Sequence, residues 1–189
     1  MTGWIVLGVL LLLMAGLILY VILIYNGFVL LKNNINRDWS NIDVLLKQRF
    51  DELPKLIKVC EGYMQHEQKT LEAVIKARNM AGSARTAQDN IQAQNALSDT
   101  LKSLFMVVER YPELKADAGF RQLSNRITEL EDQIADRREL YNSAVTIFNT
   151  RIDQFPDVII ARLFNFTSRN LWEINPAHRA DVEVSFQHS

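Results

Sequence analysis

Residues 4–25 read WIVLGVLLLLMAGLILYVILIY, an apolar run that no charged side chain interrupts. As a helix rising about 1.5 Å per residue, the run is roughly 30 Å long and matches the hydrocarbon core of a bilayer. A secretory signal peptide fits less well, because the first three residues carry no basic side chain and the run is too long. The run therefore predicts one membrane anchor within residues 1–27.

Aromatic and small side chains are placed along this anchor as in other membrane spans. Trp4 stands near one end and Tyr20 and Tyr25 near the other, where aromatic rings prefer the headgroup layers. Gly8 and Gly16 are small enough to let two such helices approach each other, although no strict GxxxG is present. We expect this segment to contact membrane lipid and to contribute weakly to self-association.

The charges that follow the anchor predict its orientation. Lys32 and Arg37 are the first basic side chains, and both lie on its C-terminal side. Basic residues near a span favour the cytoplasmic side of the membrane. We therefore expect the N-terminus outside and the remaining chain in the cytoplasm.

The rest of the chain has the composition of one helical domain. Its 21 basic and 22 acidic residues nearly cancel, which gives no electrostatic footprint for nucleic acid. The whole chain has only seven glycines and four prolines, and long stretches rich in alanine, leucine and charge lie between them. We predict an all-α protein: anchor 1–27, an antiparallel bundle of three to four coiled-coil-like helices over 28–155, and a short apolar helix with an extended tail over 156–189.

An apolar stripe runs through residues 28–84 at steps of three and four, which predicts one long helix. We expect Pro54 to bend this helix, because proline lacks an N–H, and Asn26-Gly27 to hinge it just outside the membrane. The stripe comprises Ile35, Trp39, Ile42, Leu46, Leu53, Ile57, Cys60, Met64, Leu71 and Val74.

Two further helices are predicted. The second follows a turn of small residues, with Thr86 or Asp89 as its cap, and ends at Tyr111-Pro112. The third begins after Asp117 as N-cap and carries a seven-residue apolar repeat, which is typical of supercoiled helices. The repeat comprises Phe120, Ile127, Ile134, Tyr141, Phe148 and Phe155.

The segment after Pro156 holds more apolar side chains than a short helix hides on one face. It is either a cap over the end of the bundle or an interface with a neighbouring subunit or with lipid. The tail beyond it alternates like a strand that has no partner strand in this chain. The candidate oligomer-interface residues are Val158, Ile159, Ile160, Leu163, Phe164, Phe166, Trp172, Val182, Val184 and Phe186.

Charged residues on the apolar faces predict contacts that set the register between helices. Glu67 is the acidic member of this set and is expected to pair with arginines of neighbouring helices. The arginines are Arg49, Arg78, Arg137 and Arg138.

An enzymatic site is the weaker interpretation of the same residues. His66 and Glu67, with Tyr63 and Arg49, form the best candidate cluster. One histidine beside one glutamate falls short of a zinc site, and the chain has neither a phosphate loop nor a nucleophile motif. We expect no catalytic residue, no metal and no cofactor, and an inert, packed thiol at Cys60.

The chain resembles the LemA family along nearly its whole length, in the right order. The first half carries Tyr25-Asn26, Trp39, Ile42-Asp43-Val44, Leu46-Lys47, Arg49, Leu53-Pro54, Gly62-Tyr63, His66-Glu67, Thr70-Leu71-Glu72 and Ala77-Arg78. The second half carries Glu109, Tyr111-Pro112, Leu114-Lys115-Ala116, Ile134-Ala135, Arg138, Tyr141-Asn142, Ala144-Val145, Asn149, Phe155-Pro156 and Ala161. It departs from the family at Ser124 and Arg37-Asp38.

The resemblance implies a bacterial protein with an N-terminal anchor and a bundle of long helices, and it implies no agreed reaction. We therefore expect a single-pass protein of the bacterial inner membrane that self-associates into an oligomeric scaffold. The alternative is a monomeric adaptor for another membrane protein, such as a protease or a sensor. An enzyme that uses His66 and Glu67, either metal-dependent or hydrolytic, is the third hypothesis.

Overall fold

The computed structural model describes residues 1–173, and helices dominate this part of the chain. No strand occurs among these residues, so the predicted all-α fold is confirmed. The tail residues Val182, Val184 and Phe186 lie outside the described residues. The helices are α1 (Thr2–Tyr63), α2 (Gln68–Ser83), α3 (Ala87–Val108), α4 (Pro112–Ala116), α5 (Ala118–Asp153) and α6 (Asp157–Leu163).

Helix α1 is continuous from the apolar run into the domain. It passes through Asn26-Gly27, so the expected hinge is wrong. A Cβ placed on Gly27 would collide with the guanidinium of Arg151. The glycine therefore serves a close approach between side chain and backbone, and α1 keeps its helical hydrogen bonds. Pro54 likewise lies inside α1 without ending it.

The single helix expected over residues 28–84 is interrupted. Helix α1 ends at Tyr63, and α2 begins at Gln68. The Glu67 amide donates to the Met64 carbonyl at 3.0 Å and closes the turn between them. The apolar stripe nevertheless stays in register, since Met64 and Leu71 on either side of the turn are both buried. Because the apolar spacing continues across the turn, the sequence pattern gives no sign that the helix ends at Tyr63.

Two predicted helix caps are confirmed. The Thr86 hydroxyl accepts the Asp89 amide at 3.1 Å at the start of α3. The Asp117 carboxylate accepts the Phe120 amide at 2.8 Å at the start of α5. Each cap satisfies an amide that has no partner within its own helix.

The contacts divide the chain into two compact units. The anchor unit comprises Met1–Ile42 and Asp136–Leu171, and the bundle unit comprises Asp43–Ala135 and, among the described residues, 172–173. Helices α1 and α5 contribute to both units. The predicted limits at residues 27 and 155 stay predictions.

The bundle unit encloses an apolar core between its helices, with α2 packed along α3. Its fully enclosed side chains come from α1, α2, α3, α4 and α5 and from the turn after α1. They are Leu53, Leu56, Cys60, Met64, Val74, Leu104, Leu114 and Ile127.

The anchor unit is held together by aromatic rings. Phe28 is fully buried. The centre of the Phe166 ring lies 4.9 Å from the centre of the Phe28 ring, and the two rings are stacked. The centre of the Phe148 ring lies 6.0 Å away, and this pair is edge-to-face. The ring centres of Trp39 and Tyr141 are 5.4 Å apart. Phe155, expected on the same seven-residue repeat, is 76% exposed because α5 ends before it, at Asp153.

The apolar run is not covered by its own chain over most of its length. Every residue from Met1 to Tyr20 is exposed. Helix α1 is long and apolar enough to cross a membrane, and within residues 1–173 it alone meets that description. The exposed run is the predicted anchor, and Trp4, Gly8, Gly16 and Tyr20 all lie on its uncovered part.

Truncating the core of the bundle unit should destabilise the protein much more than truncating its surface. Leu104→Ala removes a fully buried side chain and is expected to lower the free energy of unfolding by about 2–5 kcal/mol. Met106→Ala, on the same helix at 68% exposure, should change it by less than about 0.5 kcal/mol. Guanidinium titration of the detergent-solubilised chain, followed by circular dichroism, measures both. Equal losses would contradict this packing.

Candidate functional site

The most concentrated polar site lies inside the bundle unit, around Arg49. Helix α1 buries this side chain to 1% exposure. Its Nη1 donates to the Ser98 hydroxyl at 2.8 Å and to the Glu131 carboxylate, and its Nη2 donates to the Gln94 side-chain oxygen. The Ser98 hydroxyl donates to the other Glu131 oxygen at 2.8 Å. We name these four residues the arginine clamp.

The clamp joins three helices, because its members come from α1, α3 and α5. The planar guanidinium presents several donors in a fixed fork, so sliding any one helix along another would break a hydrogen bond. The charge of buried Arg49 is compensated by Glu131, whose own side chain is 27% exposed. The arrangement is suited to fixing register, since its charged groups are occupied by one another.

A second cluster joins two turns of the bundle unit. The Glu67 carboxylate accepts from Arg110 Nη2 at 3.0 Å and from the Tyr111 hydroxyl at 3.2 Å. Desolvation and the hydrogen bond to Glu67 raise the pKa of the Tyr111 phenol. The turn after α1 is therefore tied to the turn after α3.

Tyr63 takes part in a parallel contact. Its hydroxyl donates to the Asp117 carboxylate at 3.3 Å, while the other oxygen of Asp117 caps α5. The negative charge of Asp117 raises the pKa of the Tyr63 phenol, and desolvation adds to the shift. Both phenols remain protonated at neutral pH and act as donors that hold turns and caps in place.

His66 does not join these clusters. It is exposed and lines an open groove, and the Glu67 carboxylate beside it in sequence is held by Arg110 and Tyr111. No group of three His, Cys, Asp or Glu side chains within residues 1–173 is placed to hold a metal ion. The groove is lined by Glu61, Met64, Gln65, His66, Gln68, Leu71, Glu72 and Ile75.

The other predicted register residues have varied surroundings. Arg78 Nε donates to the Phe50 carbonyl at 3.1 Å, and its guanidinium carbon lies 3.7 Å from the centre of the Phe50 ring. This contact links α2 to α1. Arg137 is exposed on α5, and Arg138 is half-buried. Glu67 pairs with Arg110 and not with one of the four predicted arginines.

Three of the four clamp residues were not predicted from the sequence, although the sequence contains a signal for two of them. Gln94 and Ser98 fall on the apolar stripe of α3, between buried Ile91 and Leu101. A polar side chain at a core position requires a partner, and Arg49 interrupts the stripe of α1 in the same way. Glu131 directly follows buried Leu130, and its pairing depends on the fold alone.

The predicted oligomer-interface residues divide into exposed and buried ones. Ile159 is 57% exposed, Leu163 is 68% and Phe164 is 46%, whereas Ile160 and Trp172 are buried. The Trp172 indole N–H donates to the Asn95 side chain at 3.1 Å, so this ring belongs to the core of the bundle unit. Val158 and Phe166 are half-buried.

The chain has relatives among known proteins. A family model described as LemA family matches residues 38–186. Two magnetosome proteins of Paramagnetospirillum magneticum, MamQ 1 and MamQ 2, are each 24% identical over 81% of this chain and 66% of their own length. Protein LemA of Metamycoplasma hominis is 25% identical over 82% of this chain and 71% of its own. The chain thus spans about two thirds of the length of the MamQ proteins.

Removing the buried cation should destabilise the protein strongly. Arg49→Met leaves Gln94 without this donor and Glu131 with the Ser98 hydroxyl but no cation, and we expect a loss of about 3–5 kcal/mol in the free energy of unfolding. Arg49→Lys keeps the positive charge but loses the forked donors of the guanidinium. Its free energy of unfolding should lie between those of Arg49→Met and the parent. Denaturant titration of the whole chain measures each variant.

An exposed ion pair provides the matched control. Arg126 and Glu129 lie 2.8 Å apart on α5 with side chains 41% and 56% exposed, so Arg126→Met should cost less than about 0.5 kcal/mol. Arg49→Met/Glu131→Met should recover much of the loss, since no charge is then left unpaired. If Arg49→Met were no worse than Arg126→Met, the clamp would not hold the helices.

The buried thiol should report on unfolding. Burial, with a smaller contribution from the charge of Glu61, raises the pKa of Cys60 to about 12. We expect no reaction with an aromatic disulfide reagent at pH 8 until denaturant is added, because the thiolate is the reactive form. Rapid labelling of the native chain would contradict this.

The same shift predicts a pH dependence of stability. The unfolded thiol loses its proton near pH 8.5–9, whereas the folded thiol keeps it. Stability should therefore fall above about pH 9, by up to about 1.4 kcal/mol per pH unit, relative to Cys60→Ala.

Proposed function

This chain belongs to the LemA family, and we propose that it is a non-enzymatic, membrane-anchored helical protein that self-associates into an oligomeric scaffold at the bacterial inner membrane. The bundle unit lies on the cytoplasmic side in this proposal. The observation that carries it is an apolar seam on α5 that the described chain leaves uncovered.

The uncovered seam comprises Leu140, Ala144 and Ile147. Leu140 is 52% exposed and Ile147 56%, and Ala144 between them is half-buried. Residues four and seven positions apart lie on one face of a helix, which is the spacing of a coiled-coil contact. The neighbouring face of α5, about 100° around the helix, is already buried through Tyr141 and Phe148. A second copy of the same seam is a partner of matching shape and spacing.

Membrane anchoring favours such an association. Exposed side chains from Met1 to Tyr20 hold each copy in the bilayer through α1. Confinement to one plane raises the effective concentration of copies, so a short apolar seam suffices for contact. Gly8 and Gly16 are open to a second helix, as a Cβ at either position would meet nothing within 4 Å.

The described polar clusters support a structural role over a catalytic one. The charges of Arg49 and Glu131 are paired, and Glu67 is held by Arg110 and Tyr111. Each of these contacts joins helices or turns. No carboxylate of the two clusters orients the imidazole of His66, as a catalytic base would require. None of the relatives' names designates an enzyme.

The mass of the gently extracted chain tests self-association. We expect an oligomer in detergent by light scattering and native mass spectrometry. Leu140→Glu/Ile147→Glu puts two negative charges on each copy, hence four into a contact between two copies, and should weaken association at least about tenfold. Thr146→Glu/Thr150→Glu adds the same charges on a neighbouring exposed face of α5 and should leave the oligomer intact.

A parent chain that is monomeric throughout the accessible concentration range would overturn the scaffold proposal and favour the adaptor. If the oligomer stayed intact in both charged variants, the α5 seam would not be the contact between copies. Point substitutions are sharper than deletion of residues 157–189, because Ile160, Ala161 and Trp172 in that segment are buried.

A further inference from the structure

Helix α6 lies at the level where α1 leaves its apolar run. The Phe164 ring, just after α6, is 4.8 Å from the ring of Tyr25, the last residue of the run. Asp157, the first residue of α6, forms an ion pair with Arg151, whose guanidinium packs against Gly27. Both ends of α6 are thus tied to neighbouring positions of α1.

These two contacts define the level of α6 along α1. Tyr25 and Gly27 are separated by only about 3 Å along the axis of α1, at about 1.5 Å per residue. The seven residues of α6 extend over about 10 Å. Side chains at both ends of α6 therefore meet α1 at the same level, at the C-terminal end of the apolar run.

The folded part of the anchor unit also reaches into the apolar run. Residues 1–20 are all exposed, but Val21 is half-buried and Ile24 is only 5% exposed. Ile24 and Phe28 are four residues apart and share one covered face of α1. The covering chain therefore overlaps the last turn of the span, over about 6 Å along the axis.

The outer face of α6 is apolar although nothing in the described chain covers it. Ile159 and Leu163 are one turn apart and 57% and 68% exposed, while Ile160 and Ala161 on the inner face are buried. Exposed Arg162 adjoins the same face, and its long side chain suits a phosphate beside an apolar surface. Phe155, two residues before α6, adds a 76% exposed ring.

We propose that α6, with Phe155 and Phe164, is an interfacial helix that inserts Ile159 and Leu163 into the headgroup and upper acyl region of the bilayer beside the exit of α1. The partner is the lipid surface itself. Its contact is continuous with the span, because Tyr25 and Phe164 touch at the boundary. Insertion over about 5–10 Å is typical of amphipathic interfacial helices and agrees with the overlap at Val21 and Ile24.

This inference rests on the membrane anchoring in the proposed function and is independent of self-association. It assigns the exposed side chains of α6 to lipid and leaves the α5 seam for contacts between copies. Asp157 is the one acidic residue of α6, and its charge is neutralised by the ion pair with Arg151. The contact therefore contains apolar groups and the cation of Arg162.

Depth-dependent fluorescence quenching tests the inference on the full chain. Ile159→Cys and Leu163→Cys are labelled with bimane, and buried Cys60 does not compete for the label. Each variant is placed in nanodiscs of phosphatidylethanolamine and phosphatidylglycerol holding one chain each, with a nitroxide lipid labelled high on its acyl chain. Leu17→Cys, in the span, is the positive control. Ser40→Cys is the negative control, about 22 Å beyond Tyr25 along α1.

We expect the labels at 159 and 163 to be quenched to an extent similar to that at 17, and at least about threefold more than the label at 40. If the labels at 159 and 163 were both quenched no more than the label at 40, the inference would be overturned, because water or protein and not lipid would then surround residues 159 and 163. Because each disc holds one chain, loss of the α5 contact cannot produce that result. An unquenched label at 17 would instead remove the anchoring on which the inference rests.

Discussion

The structure depends on the continuity of α1. One helix of 62 residues contains both the exposed apolar run and the stripe that the domain covers. The two patterns overlap at Val21 and Ile24, so the last turn of the anchor is already part of the folded anchor unit. A bilayer that holds the run consequently determines the depth and tilt of this unit, with no flexible linker between them.

Gly27 shows how this continuity is achieved. A glycine just beyond an apolar run suggests flexibility, because it lacks a Cβ and relaxes the backbone. Here the missing Cβ leaves room for the guanidinium of Arg151, which also pairs with Asp157 and lies 5.2 Å from the centre of the Phe28 ring. The position therefore ties α1, α5 and α6 together at the end of the apolar run.

The arginine clamp plays a different part in the bundle unit. Compared with apolar side chains of similar size, the pair of buried Arg49 with Glu131 contributes little net stability, because the loss of water around the cation offsets its attraction to Glu131. Its value lies in excluding other alignments of three helices whose apolar stripes would pack in more than one register. Arg49 Nε has no hydrogen-bond partner among residues 1–173, so the clamp determines geometry at some cost in stability.

Features written in neighbouring residues were predictable from the sequence. The apolar run, the caps Thr86 and Asp117 and the buried repeat of α5 each depend on spacing within a few turns. The break at residues 64–67 was not predictable, since its stripe stays in register and the turn is tied to Arg110 and Tyr111. The partners of Arg49 and the placement of α6 likewise depend on contacts between residues far apart in the chain.

Amide hydrogen exchange across residues 26–34 in lipid nanodiscs tests the central claim most directly, because the claim is an uninterrupted helix at the membrane boundary. The account predicts protection similar to that of residues 39–49 of α1, and at least about a hundredfold slower exchange than in the turn at residues 64–67 of the same chain. Exchange at residues 26–34 as fast as in that turn would reveal a hinge and would contradict the account.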